Sequence, residues 1–271
     1  MPKANIGNGE IYYEVHGEGP PLMMVAGLGG TGDYWNPQIE AFAKHYTVIL
    51  HDHRGTGQSS HSQIEYSVDQ MADDLLRLMD FLKIEQAHIV GHSTGAAMAL
   101  IISVQNPERL ASSVAYAGWT KADPHLHRCF DIRRTLLRET GAQAYCRATP
   151  LFLFPPWFIR DNGDAMIEQE PNVVASFPPA EIMESRMDAV LAFDCTEYVG
   201  RVGVPTLVIC ANDDFLTPAY YSQELAHLIP SAELSILESG GHAVSVTRPE
   251  LFNEQVLAFL ARQKAPQSQS I

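Results

Sequence analysis

An α/β fold, with a mostly parallel central sheet flanked by helices and an inserted helical cap, is what this sequence predicts, and three observations carry it. Short apolar runs of strand length alternate with segments of helical period. Those runs are apolar almost throughout, as strands are when both faces of a parallel sheet are covered. The rhythm breaks once, from 119 to 196, into irregular helical text interrupted at Pro150, Pro155, Pro156, Pro171, Pro178 and Pro179. The expected organisation is a core of residues 1–118 and 197–271 with a helical cap at 119–196. At 271 residues, 46% hydrophobic and 18% charged, the chain is long enough for one such core.

The elements follow in order. Residues 10–16 alternate as a strand of an N-terminal hairpin and end at the turn cluster Gly17-Glu18-Gly19-Pro20. Residues 22–26 form a short apolar strand, then a glycine loop and a helix near 37–45 with Ile39 and Phe42 on one face. Residues 47–50 are the next strand. Met71, Leu75, Leu78, Met79 and Leu82 recur at helical spacing, with Asp69, Asp73 and Asp74 early in that helix, where negative charge is favoured. A strand at 87–90 leads into a small-residue helix reaching about Gln105 and closed by Asn106-Pro107; 114–117 is another strand. After the cap come a strand at 205–210, a helix at 219–228, a strand at 233–237 and a last helix at 248–262. The polar tail, 264–271, is expected to fray.

Composition excludes several classes of function. A formal net charge of −14 repels phosphate and argues against nucleic-acid binding. No apolar run reaches the roughly 18–20 residues of a membrane helix, and the first residues lack a charged segment leading into an apolar one. A cytoplasmic protein without membrane association is expected. Cys129, Cys146, Cys195 and Cys210 are scattered without metal-type spacing and read as free thiols of a reducing compartment.

Chemistry concentrates at Gly91-His92-Ser93-Thr94-Gly95, which joins a strand to a helix. A serine pinched at such a sharp turn is exposed in strained backbone geometry, and the glycines remove side chains that would collide there. Ser93 is the predicted nucleophile. Its base is predicted to be His242, in Gly240-Gly241-His242 between the last core strand and the final helix. The acid is expected after the preceding strand, where Asp214 stands four residues before Pro218; Asp213 is the runner-up and Asp194 a distant third. Two backbone N–H groups should bind the developing oxyanion: Thr94, after the nucleophile, and Leu28, in Ala26-Gly27-Leu28-Gly29-Gly30. That loop lacks dinucleotide spacing and a phosphate-loop lysine, so no cofactor is expected. His51-Asp52-His53 and His125-Leu126-His127 lack the further ligands of a metal site, and no metal is expected. Asp52 and Arg54 read as loop braces.

Together with Asp52-His53-Arg54-Gly55-Thr56-Gly57-Gln58-Ser59, these motifs make the whole chain resemble the α/β-hydrolase superfamily. Ala26 stands where many relatives place histidine before the glycine. The elbow serine sets aside the superfamily's aspartate-nucleophile branches. Gly118-Trp119, His127-Arg128-Cys129-Phe130, Gly141-Ala142-Gln143-Ala144 and residues 150–155 resemble the cap of the aminoacrylate hydrolase group of bacterial pyrimidine breakdown. That resemblance implies small, polar, carboxylate-bearing, nitrogen-containing substrates, with Arg128 and Trp119 as candidate substrate-binding residues. Independently, the stretch from Trp119 to Arg160 holds seven Lys or Arg against three Asp or Glu, a net +4 in an acidic chain, which suits carboxylate binding. The apolar run at 151–159 is expected to pack the cap on the core, with some residues left for the pocket or for a homodimer contact.

The expected function is hydrolysis of a small carboxylated amide, carbamate or enamine by a Ser-His-Asp triad. An ester, lactone or carbon–carbon hydrolase is the alternative within the class; a ligand receptor with slow or no turnover is the alternative outside it.

Overall fold

A computed structural model describes residues 2–266; the last residues of the expected frayed tail, 267–271, lie outside the described residues. Eight strands build one sheet: β1 (Lys3–Asn5), β2 (Glu10–His16), β3 (Pro21–Val25), β4 (Thr47–His51), β5 (Ala87–His92), β6 (Leu110–Tyr116), β7 (Thr206–Ala211) and β8 (Ala232–Leu237). Their order across the sheet is β1-β2-β4-β3-β5-β6-β7-β8. β1 with β2, and β2 with β4, are antiparallel; every pairing from β4 through to β8 is parallel. Every residue of β3, β4, β5 and β7 is buried, which explains their unbroken apolar text. β8 is an edge strand and leaves Leu234 and Ile236 partly open.

Helices cover both faces. α1 (Asn36–Phe42) and α10 (Pro249–Leu260) pack on one side, where Phe42, Phe252 and Phe259 meet Trp35, Val90 and Val114 of the sheet side. α2 (Val68–Phe81), α3 (Thr94–Gln105) and α8 (Ala219–Leu228) fill the other with Leu75, Leu78, Met98, Ile102 and Leu225. α2 starts where expected because the Ser67 hydroxyl accepts from the Gln70 N–H at 3.0 Å and Asp69 lies in its first turn. A one-turn helix, α9 (Val244–Thr247), precedes α10.

Between β6 and β7 the chain forms four helices: α4 (Pro124–Thr140), α5 (Ala142–Leu153), α6 (Pro156–Ala175) and α7 (Ala180–Ala192). Asp123 caps α4 by accepting from the Leu126 N–H at 2.9 Å. Gly141 divides α4 from α5, Pro155-Pro156 divides α5 from α6, and Pro178-Pro179 precede α7. Pro150 and Pro171, which read as interruptions in sequence, lie inside α5 and α6. Each removes one i→i−4 hydrogen bond from the turn before it, and the helix continues past it. Leu126, Phe130, Tyr145, Ile182 and Met187 of these helices join the same apolar cluster as α2 and α3. α6 has no buried residue.

The parallel strands all point their C-terminal ends the same way. The loops leaving β3, β5, β7 and β8 carry Leu28, Ser93, Asp214 and His242, so the fold gathers on one edge what the sequence scatters over more than two hundred positions.

Candidate active site

Ser93 is wedged between β5 and α3 with φ +53° and ψ −113°, a conformation that L-residues other than glycine seldom hold. Its N–H donates to the Tyr116 carbonyl of the neighbouring strand at 2.8 Å. The two flanking glycines are required by close approach. A Cβ at Gly91 would stand 2.2 Å from the Gly95 carbonyl oxygen, and one at Gly95 would stand 2.3 Å from that of Val25. Gly27 also lies close to Ser93: a Cβ there would come within 3.2 Å of the Ser93 Cβ.

His242 is held on both its side chain and its main chain. Its Nδ1 donates to Asp214 Oδ2 at 2.9 Å, in a pair almost wholly removed from water. Asp214 is itself fixed by three more donors: the Leu216 N–H (2.8 Å) and Thr217 N–H (2.9 Å) on Oδ1, and the Thr217 hydroxyl (3.0 Å) on Oδ2. The His242 carbonyl accepts from the Tyr116 hydroxyl at 2.8 Å and from His92 Nε2 at 3.0 Å. Burial pushes the pKa of His92 well down, so its ring is neutral, and the bond to a carbonyl assigns the proton to Nε2. His92 stacks on Tyr34 at 4.6 Å and lies 4.7 Å from the His242 ring. Burial raises the pKa of both Tyr34 and Tyr116, which keeps these hydroxyls protonated beside the base. No hydrogen bond joins the Ser93 hydroxyl to His242 among the described residues; such contacts often tighten only with substrate bound.

The two neighbouring aspartates divide their tasks. Asp213 accepts from the Gly240 N–H (2.7 Å), the Gly241 N–H (2.8 Å) and the Ser239 hydroxyl (2.7 Å), and so shapes the loop that presents His242. Asp194 pairs with Lys121 at 2.7 Å, away from the base. Asp52 braces the loops as expected, accepting from the Gly32 and Gln58 N–H groups, and Arg54 forms a buried two-pronged pair with Asp74 at 2.7 and 2.8 Å. His51 and His53 stack on each other at 5.0 Å.

The Leu28 and Thr94 N–H groups donate no hydrogen bond among the described residues, and each lies in a backbone segment abutting Ser93. The Leu28 carbonyl, in contrast, is clamped. Arg186 of α7, with no exposed surface, donates from Nε (3.3 Å) and Nη2 (2.9 Å) to Leu28, from Nη1 (3.0 Å) to the Arg54 carbonyl, and from Nη2 to His53 Nδ1 at 3.1 Å. Burial pushes the Arg186 pKa down to about 10, still leaving it charged at neutral pH, and burial together with this cation holds His53 neutral. Sequence reading missed Arg186, Thr217, Tyr116 and His92. Only Thr217 carried a signal, as a hydroxyl three residues after an aspartate.

Two expected substrate-binding residues, Arg128 and Trp119, lie between β6 and β7. Arg128 is exposed on α4, opposite the buried face formed by Leu126, Phe130, Arg133 and Leu137; the arginine that α4 buries is Arg133. Most of the local positive surplus is neutralised by acids, largely from beyond the stretch first counted: Arg134 pairs with Asp188, Arg138 with Glu184, and Arg147 with Glu170. Trp119 is fully buried, edge-on to Phe193 at 5.6 Å, and its indole N–H meets no acceptor among the described residues. A surface cleft of about 840 Å³ lined by Asp80, Lys83, Glu108 and Arg109 opens at the opposite end of the sheet and holds no nucleophile–base pair.

Comparison with known proteins agrees with this geometry. Residues 20–139 match the family described as alpha/beta hydrolase fold. A protein of Azorhizobium caulinodans named "Putative carbamate hydrolase RutD" is 42% identical over 96% of this chain and 98% of its own length. One of the same name from Caulobacter sp. strain K31 is 41% identical over 94% of this chain and 97% of its own. The crystal structure of the enol-lactonase from Burkholderia xenovorans LB400 superposes with a TM-score of 0.88 at 25% identity, over 96% of this chain and all of that one. The protein is therefore a hydrolase of the α/β-hydrolase superfamily and belongs, within it, to the family of the RutD proteins.

Proposed function

We propose that the chain is a serine hydrolase that cleaves a small carboxylate-bearing C–N substrate, an amide, carbamate or enamine, in a catabolic pathway. The observation that carries the reading is the buried Asp214–His242 hydrogen bond beside a serine strained to φ +53°. For an amide or a carbamate, His242 Nε2 takes the Ser93 proton in this reading as Oγ attacks the acyl carbon. The oxyanion is met by the N–H groups of Leu28 and Thr94 at the positive end of α3. Collapse expels the nitrogen, which takes its proton from His242; water then attacks the acyl-enzyme by the same route, restoring Ser93. Asp214 holds the tautomer with its proton on Nδ1 and stabilises the imidazolium without itself taking the proton. Helices α4–α7 act as the cap that excludes water from this chemistry. The names of the relatives, which speak of a carbamate, support the C–N reading.

A second reading, an ester or enol-lactone hydrolase, is favoured by the likeness to the enol-lactonase. One triad serves both, because the leaving atom is chosen by the pocket. The test is a panel of carbamates, small enamine or N-substituted acids, esters and lactones, assayed with wild-type protein and Ser93→Ala for release of ammonia or acid. Nitrogen release that vanishes in the variant is expected. Acid release from esters or lactones alone transfers the assignment to the second reading, and turnover that survives Ser93→Ala contradicts both.

A further inference from the structure

We propose that Arg133 is the residue that binds the carboxylate of the substrate, an inference that rests on the serine-hydrolase reading above and assigns its anion subsite. Arg133 is 5% exposed, and no carboxylate lies within ion-pairing distance of it among the described residues. Its guanidinium is instead enclosed by rings, 5.4 Å from Phe130, 4.8 Å from Tyr145 and 5.5 Å from Phe152. Its one hydrogen bond runs from Nη2 to the Tyr145 hydroxyl, and its Nε is buried without a partner.

Buried cations are normally paired, because withdrawing a charge from water is expensive until an anion compensates it. The neighbouring arginines are paired even where water could solvate them: the partly buried Arg134 and the exposed Arg138, Arg147 and Arg160 each have an acid. Arg186, also buried, spends its donors on two carbonyls and a histidine nitrogen. Arg133 alone among these has neither an acid nor a main-chain acceptor among the described residues. Ring faces stabilise a guanidinium from above and below while leaving its in-plane N–H edge open, the edge that takes a carboxylate in two parallel bonds.

The position fits a substrate group at the triad. Phe152, which touches the Arg133 guanidinium, also contacts the ring of Phe215 at 6.2 Å, and Phe215 directly follows Asp214. The next residue, Leu153, accepts from the Ala243 N–H at 3.0 Å, immediately after His242. The aromatic enclosure of Arg133 is thus joined at two points to the loops that carry the acid and the base.

The experiment compares two esters of nearly equal shape, p-nitrophenyl hemisuccinate and p-nitrophenyl butyrate, which differ by a carboxylate in place of a methyl group. Wild-type protein is expected to prefer the hemisuccinate. In Arg133→Met the ratio of the two kcat/KM values should fall about 30- to 100-fold, as expected on losing a buried charge-assisted pair, and Arg133→Lys should recover part of it. A ratio unchanged in a folded Arg133→Met overturns the assignment and leaves Arg133 a packing residue. Wild-type protein, which needs no variant to fold, supplies the second measurement: propionate should compete with the hemisuccinate and propionamide should not. Equal competition by both overturns the proposal, as does a wild-type preference for the butyrate. Loss of turnover of both esters in Ser93→Ala, with the ratio unaltered in Arg133→Met, separates failure here from failure of the serine-hydrolase reading.

Discussion

Replacing Arg186 by methionine tests whether α7 holds the oxyanion loop in place. The change removes four hydrogen bonds and leaves three acceptors in the interior: the Leu28 carbonyl, the Arg54 carbonyl and His53 Nδ1. Each buried acceptor left unpaired costs about 1–3 kcal/mol. Against this stands the desolvation penalty of a cation with no exposed surface, several kcal/mol, which disappears with the charge. The second only partly offsets the first, leaving a net loss of about 2–4 kcal/mol, measurable as a lowered urea midpoint with unchanged slope. The larger effect should be on turnover. With its carbonyl released, Leu28 is free to change φ and ψ, which lets the preceding Gly27–Leu28 peptide turn its N–H away from Ser93, and losing one oxyanion donor lowers kcat by about 10²–10³. The assay is kcat for p-nitrophenyl butyrate per serine titrated with a fluorophosphonate, so that unfolded protein is not counted. KM should change far less than kcat, because the donor acts on the transition state. Arg186→Lys should fall between, since one ammonium cannot span both carbonyls and the imidazole. A folded Arg186→Met with kcat within about threefold of wild type would refute the reasoning.

Two further outcomes are expected. Asp214→Asn should lower kcat by about 10⁴ through loss of the correct His242 tautomer, whereas Asp213→Asn should lower it no more than about tenfold and cost about 1 kcal/mol in urea unfolding; comparable kcat losses in the two variants would overturn the division of roles. His88, buried in β5 and bonded to Ser112 at 2.8 Å, has its pKa pushed by burial down to about 4, so its folded form stays neutral while the unfolded chain takes up a proton below about pH 6.5. Its contribution is therefore present above pH 6.5 and lost as pH falls towards 4. At pH 5.5 wild type should have lost on the order of 1 kcal/mol more, relative to pH 8, than His88→Gln, and parallel stability curves for the two would contradict this.

The positions of Ser93, His242 and Asp214 in the fold were legible because each follows the end of a strand, and strand ends are marked by apolar runs stopping at Gly, Asp or Pro. Asp214 could be chosen over Asp213 from its distance to Pro218, but what makes the choice physical is the turn that aims Leu216 and Thr217 N–H groups at it. The mostly parallel sheet was foreshadowed by the alternation of elements, whereas its strand order was not. Arg186 was not legible: its partners lie more than 130 positions away, and no local pattern distinguishes it from a surface arginine on a helix. Arg128 illustrates the converse. It lies in a segment whose sequence resembles the cap of the aminoacrylate hydrolase group, yet 100° per residue turns it away from the buried face that takes Arg133. The charge count of the 119–160 stretch was sound as arithmetic but blind to Glu170, Glu184 and Asp188, which fold back onto its arginines.

The central claim is a covalent reaction at Ser93 driven by His242. The most direct measurement is the mass of intact wild-type, Ser93→Ala and His242→Ala proteins after brief exposure to a fluorophosphonate, with the modified residue located by peptide sequencing. The account predicts one adduct per wild-type chain, on Ser93, none on Ser93→Ala, and labelling slowed by orders of magnitude in His242→Ala. An adduct elsewhere, or equal labelling rates with and without His242, would contradict it.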